Sequence, residues 1–458
     1  MFLFRNSLVI IIALSVLDGR KCIQLSNTAS SGGNVFRHRN YRLVFFGALV
    51  SELGALLYSF AVGFYILEIT GNNAFLQGLY LSLCGVILLL FTPVGGVLGD
   101  RFSKARIMSV CDYLKGGLII LATIAMLVFP SSRAHLVILF AVGILGNAVS
   151  GIFNPAASSL LPEIVEEDRL QQASSYFTVK SSLESILGVV LAGILYAALS
   201  IHFLFFFVGI CYVLSGISEM FIRYARVPSE EPMSIRLALS DMREGLHYLK
   251  SQKAMMVLII AILFINFFMA PITSNFVPYF IKTDVAGAPS YLFQTFLTPE
   301  LWTSVFSMLI GMSSLIGAVI LSARPQAEKC GRRTAVNLSV IAVLMAGVTF
   351  CYWLLVDRGV SLNLFLVLFA LGCLVFGFLL VFINIPINTV LMRIVDRDKL
   401  SKVMSIISIL SQGLVPVASV LAGTVLQTSG STILLAICSA GFTITALFLV
   451  CSRQVKTI

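Results

Sequence analysis

The chain has 458 residues, of which 58% are hydrophobic and 11% charged, with a mean hydropathy of +0.99. A water-soluble domain carries about 25% charged residues, so this chain lacks the polar surface to cover a soluble globule and must face lipid. The formal charge of +10 sits in short loops between apolar runs, the distribution of orientation determinants and not of a nucleic-acid-binding face.

In chain order, the apolar stretch from Leu8 to Val16 is too short to cross a hydrocarbon core of about 30 Å. With Arg5 ahead of it, the stretch has the form of a signal peptide. The alternative expectation is that residues 1 to 24 are foreign to the natural protein, with translation starting near Leu25. Residues 1–35 are therefore set apart as a leader or disordered segment.

From Asn34 onward the pattern is regular. Apolar runs at 43–68, 75–98, 106–129, 135–158, 168–197 and 202–222 predict six spans, each near the length of about 20 residues that a membrane helix needs. The longest polar interval, Arg223 to Lys253, follows, and runs at 254–281, 300–323, 334–356, 362–390, 402–427 and 431–451 predict six more. The expected organisation is an all-α integral membrane protein of twelve transmembrane helices: a first bundle at 36–222, a central loop at 223–253 and a second bundle at 254–458. With the N-terminus inside, the outward loops hold only Arg133, Lys282 and Arg358 of the 31 Lys and Arg residues. That asymmetry predicts both termini on the cytoplasmic side of a cell membrane.

An internal repeat supports two pseudo-symmetric halves. Asn154 to Gly193 aligns without gaps on Asn384 to Gly423, and the charged loop Ile164 to Leu170 falls on Ile394 to Leu400. Chance likeness between lipid-facing runs does not keep a charged loop in register. Parallel halves with a site between them near mid-membrane are a secondary-transporter architecture.

The loop after the second span reads Gly95, Gly96, Val97, Leu98, Gly99, Asp100, Arg101, Phe102, Ser103, Lys104. It resembles the loop motif of the major facilitator superfamily at Gly96, Leu98, Asp100, Arg101 and Lys104, with Ser103 where the family has a second glycine. The resemblance implies a major facilitator fold and a conformational latch, with the aspartate near the start of the eleventh helix, where a helix dipole stabilises a carboxylate. The small residues Gly95, Gly96 and Gly99 are expected to allow close helix approach.

Further stretches resemble the efflux permease branch that includes macrolide exporters and the enterobactin exporter. They are Asp112 and Lys115, then Asn154 and Pro155 leading to Leu161, Pro162 and Glu163, then Asp241, Arg243, Glu244, Gly245, Leu246 and Tyr248. The fifth span keeps only part of the family's antiporter motif, at Gly188, Val189, Ala192 and Gly193, and the loop after the eighth span keeps mainly Arg332 and Arg333.

Charges inside apolar spans are costly and mark candidate functional residues. Glu52 is the lone full charge between Arg42 and Glu68 and lies near mid-depth, where an acid that gains and loses a proton would couple transport. Lys180 and Glu184, at i and i+4, share a helix face as an ion pair or as a contact for substrate or proton. Asp112 and Lys115, at i and i+3, read as a mutually neutralising gate pair. Glu219, close to the inner end of the sixth span, is expected to be solvated.

The second half offers uncharged groups, Asn266 and Asn275, Asn384 and Asn388, and Gln412. Pro271, Pro278 and Pro386 nearby mark places where a helix bends and offers backbone groups to a cavity. Asn266, Asn384 and Gln412 join Glu52, Lys180 and Glu184 as the expected cavity set, and Gly96, Asp100, Arg101, Lys104, Asp112 and Lys115 form the expected gate.

The nine cysteines show no CxxC pair, and no P-loop or catalytic constellation is present. No cofactor, metal or enzymatic activity is expected. The expected function is proton-coupled export of an apolar or amphipathic small molecule by a monomer in the lipid bilayer, with no nucleic-acid partner. The alternatives are a siderophore, lipid or metabolite exporter or facilitator, and, from another class, a transporter-like receptor or assembly factor.

Overall fold

The computed structural model describes residues 35–165, 173, 176, 177, 180, 181, 183–223, 253–322, 330–394 and 412–452. Side chains are described for these except 97, 100, 101, 162, 185, 186, 253–255, 319, 322, 330 and 386–394. The leader, the central loop and the two repeated charged loops thus lie largely outside the described residues.

The described secondary structure is helical. The first half contains α1 (Arg39–Ile69), α2 (Ala74–Arg101), α3 (Lys104–Val128), α4 (Ser132–Ile164), α5 (Val189–Ala198) and α6 (Ile201–Met220). A π-helical turn, Glu184–Gly188, leads into α5. The second half contains α7 (Lys253–Ala270), α8 (Pro299–Ser322), α9 (Cys330–Tyr352), α10 (Leu362–Ile394), α11 (Val415–Ser429) and α12 (Ser431–Cys451). Helix α7 continues through a π turn at Pro271–Phe276, a helical turn at Val277–Phe280 and a second π turn at Ile281–Val285. Ten of the described helical stretches are long and apolar enough to cross a membrane, and α5 and α11 are shorter.

Local chemistry sets the helix ends. Asn73 and Ser131 accept hydrogen bonds from Leu76 N at 3.1 Å and Ala134 N at 3.3 Å, capping free donors at the starts of α2 and α4. Gly430 alone joins α11 to α12 at φ 82°, a left-handed conformation suited to glycine.

Packing repeats between the halves. Helix α2 lies on α4 and α3 on α6 in the first bundle, as α8 lies on α10 and α9 on α12 in the second. The bundles meet through α2 on α11 and α5 on α8, two contacts exchanged by swapping the halves. The interiors differ in chemistry. Buried Asp112, Lys115, Lys180, Glu184 and Glu219 all belong to the first half. The second is filled by an aromatic ladder in which Phe306 and Phe369 meet edge to face at 4.8 Å and Phe276 packs on Phe280 and Tyr352.

We call the face at the start of α1 the near face and the face with the α1–α2, α7–α8 and α11–α12 turns the far face.

Candidate functional site

At 1.5 Å rise per residue, Glu52 lies about 20 Å along α1 from its near end. The Lys180 ammonium is 2.7 Å from its Oε2 and 3.5 Å from Glu184 Oε2. The lysine side chain is fully buried, whereas the Glu52 side chain is 50% exposed. The expected Lys180–Glu184 pair is therefore the longer arm of a three-residue bridge that ties α1 to the fifth segment. The π turn just beyond it is cradled by α1, since a Cβ at Gly188 would lie 2.7 Å from Leu56 Cδ1. An extra residue in a helical turn often marks a functional position.

Ala55 and Ser59 share the Glu52 face of α1 at i+3 and i+7. Both line a cavity of about 330 Å³ whose polar wall includes Tyr58, Tyr80, Lys115 and Asn147. Gly85, on the same wall, abuts the second bundle: a Cβ there would lie 2.7 Å from Pro416 Cγ. Concave apolar space with a few convergent polar groups suits a small-molecule site. The second-half candidates are dispersed. Asn266 Nδ2 donates to Ile262 O at 3.1 Å in its own helix, while Asn384 and Gln412 are exposed. Asn275 is buried in the π turn of α7 and donates to Ser419 O of α11 at 3.2 Å.

The bundles close on each other toward the far face. Lys282 at the end of α7 sits 3.2 Å from Glu68 of α1 and 3.2 Å from Glu300 of α8, and Tyr196 donates to Glu68 at 3.1 Å. Ala74 N donates to Gln427 Oε1 at 3.0 Å, and Ser304 donates to Val189 O at 2.8 Å. Phe64 and Ala74 are part of the second bundle's apolar core. Sequence reasoning missed Glu68, Lys282 and Glu300 because charges at span ends read as solvated interface residues. The only available signal was that each sits at the far end of a central helix.

On the near side, Lys104 bonds Glu163 at 2.6 Å and donates to Ser159 O at 3.1 Å, joining the start of α3 to the end of α4. The side chains of Asp100 and Arg101, and the stretch before α11 that the aspartate was expected to meet, lie outside the described residues. Of the loop glycines, Gly95 packs tightly, since a Cβ would lie 2.7 Å from Ile152 Cα. Gly96 and Gly99 have no atom of the described residues within 4 Å of a Cβ, and the segment before α11 that they were expected to approach lies outside the described residues.

Two expectations need correction. Glu219 is fully buried, not solvated, because Ser109 donates to Gly216 O at 2.7 Å and draws α3 over α6. Asp112 and Lys115 do not form an ion pair. The Lys115 ammonium faces the Phe153 and Tyr212 rings at 4.6 and 5.4 Å, and both Asp112 oxygens lack a hydrogen-bond partner. Among the described residues, no group of three or more His, Cys, Asp or Glu is arranged to hold a metal ion.

A family profile described as Major Facilitator Superfamily matches residues 44–420. The chain is similar to the uncharacterized MFS-type transporter YkuC of Bacillus subtilis, 25% identical over 63% of this chain and 65% of that protein, just under two thirds of its length. Macrolide efflux protein A of Streptococcus pyogenes is 24% identical over 60% of this chain and 68% of its own. Among solved structures, a bacterial homologue of the iron transporter ferroportin in an inward-facing state superposes with a TM-score of 0.68 at 16% identity, covering 91% of this chain and 99% of the other. At that identity the likeness speaks for the fold alone.

Proposed function

We propose that this chain, which belongs to the major facilitator superfamily, is a proton-coupled exporter of apolar or amphipathic small molecules. Membership makes it a multi-pass membrane transporter, and an efflux protein stands among its relatives. The finer reading rests mainly on one observation: a buried lysine bridges a half-exposed glutamate on α1 and a buried glutamate on the fifth segment.

The bridge holds two carboxylates and one ammonium at mid-depth. A proton arriving at Glu52 removes the attraction that holds Lys180 against α1, and Lys180 then relaxes onto Glu184 alone. That exchange frees α1 from the fifth segment, so that protonation favours one arrangement of the bundles over the other. Coupling of this kind requires only a differential affinity for the proton between two states. The closure of the bundles at the far face fits loading from the near face, which the basic-residue asymmetry favours as the cytoplasmic one, and both termini are proposed to lie there.

The cavity on the Glu52 face of α1, with three tyrosines, Lys115, Asn147 and otherwise small or apolar walls, fits an amphipathic substrate. The units 36–222, 223–253 and 254–458 are proposed as first bundle, central loop and second bundle, with Asp100 and Arg101 as the latch of the near face. A siderophore, lipid or metabolite exporter would use the same cavity with other wall contacts.

The test is a susceptibility and accumulation screen of a deletion strain and strains overproducing wild type or Glu52→Gln, against a broad panel of compounds. Wild type is expected to lower accumulation of at least one amphipathic compound, and Glu52→Gln to lose this at equal expression. Equal protection by the variant would remove Glu52 from the mechanism.

A further inference from the structure

A second cluster of buried charge lies away from the Glu52 bridge, between α3 and α6. Asp112 and Glu219 are each 0% exposed, and Lys115 is 8% exposed. None of the four carboxylate oxygens has a hydrogen-bond partner. The burial is by protein: Ser109 bonds Gly216 O across the helix pair, and a Cβ at Gly116 would lie 2.9 Å from Gly209 O.

The charged and titratable groups facing this cluster are few. Helix α3 contributes Cys111, Asp112, Tyr113 and Lys115, α6 contributes Tyr212 and Glu219, and α4 presents the Phe153 ring. Arg106 and Arg223 sit at the exposed rim of a cleft of about 680 Å³ that Glu219 lines, and neither forms an ion pair with it. Two carboxyls thus share one ammonium, and that ammonium is turned toward two aromatic rings.

If both carboxyls were ionised, the protein interior would hold an unbalanced negative charge with four unsatisfied acceptors. An unpaired buried charge is strongly unfavourable and usually resolves by neutralisation. One proton makes the set neutral.

We propose that Asp112 and Glu219 form a second proton-binding site, taking up one proton per pair with Lys115 as counter-ion, between α3 and α6. Its surroundings provide two approaches. Glu219 lines the near-face cleft and Lys115 lines the cavity that also contains Ser59 of the Glu52 face. A proton entering from the near-face water reaches Glu219, then Asp112, and stands one helix away from the cavity wall. The site does not require Glu52 to be the coupling acid.

The experiment is infrared difference spectroscopy of the full-length protein in lipid nanodiscs at neutral pH. The carbonyl stretch of a protonated carboxylic acid is read in wild type, Glu219→Gln, Asp112→Asn and Lys115→Met. Wild type is expected to show one such band, shifted by deuterium oxide, that both single acid variants lose. Lys115→Met is expected to gain a second band, because both acids must then be neutral. A spectrum unchanged by Glu219→Gln and Asp112→Asn would overturn the proposal. Should those variants fail to fold, the Lys115→Met comparison with wild type decides alone, and no added band would refute the site. Export retained by Glu52→Gln with this band intact would count against Glu52 and not against this pair.

Discussion

Lys282 on α7 and Glu68 on α1 stand 3.2 Å apart, 214 residues distant in sequence, and join the far ends of the two bundles. The same ammonium also reaches Glu300 at 3.2 Å, and Tyr196 reinforces the Glu68 carboxylate. Glu68 is 54% exposed, so the network is a reversible clasp. Half-exposed pairs contribute about 1 kcal/mol or less each, small enough for a transport cycle to break.

Replacing the clasp should therefore shift a conformational balance without unfolding the protein. In Lys282→Gln, the far side is expected to open several-fold more often, as a loss of about 1 kcal/mol implies. A cysteine placed at Ser59, in a background without native cysteines, reports this through its labelling rate with an impermeant thiol reagent applied to the far face. An unchanged rate would show that the clasp contributes nothing.

The contact between α2 and α11 is steric. Gly78 packs against Ser419 O and has Gly423 Cα 3.1 Å from where its Cβ would be. Gly78→Val should force these helices apart and destabilise the far-closed state by about 1–3 kcal/mol, the usual cost of overpacking. Transport should fall sharply. Gly96→Ala meets no described atom within 4 Å and should leave thermal stability unchanged, so a melting comparison of the two variants checks the assignment.

Tyr65 and His135 form a buried hydrogen bond of 2.6 Å, with the second ring nitrogen 3.0 Å from Met126 O. The ring donates from Nε2 to that carbonyl, which leaves Nδ1 to accept from the tyrosine. Tyr65→Phe strands Nδ1 and should cost about 1–3 kcal/mol, read as a lowered melting temperature at fixed lipid and pH. Equal melting would mean that water replaces the hydroxyl without loss.

Much of the fold was legible because lipid imposes a single solution on backbone polar groups. The run at 106–129 and α3 at Lys104–Val128 differ by two residues at most at either end, and the bend at Pro271 became a π turn. Individual deep charges were also legible, since Glu52, Lys180 and Glu184 stand out against apolar neighbours. Their arrangement was not. Helical spacing pairs Lys180 with Glu184, while the closer partner, Glu52, comes from another helix through tertiary packing. Glu219 was misjudged because depth along a helix does not reveal which neighbour covers it, and here α3 does. The clasp around Lys282 depends on how two bundles meet, and no local pattern encodes that.

Coupling turns on whether Glu52 carries the proton. The most direct measurement is uptake of an identified compound into proteoliposomes with the transporter oriented at random, with and without an imposed pH gradient, for wild type and Glu52→Gln. Wild-type flux should rise severalfold with the gradient, and Glu52→Gln should move the compound at one rate in both conditions. A variant whose flux still follows the gradient would contradict the mechanism.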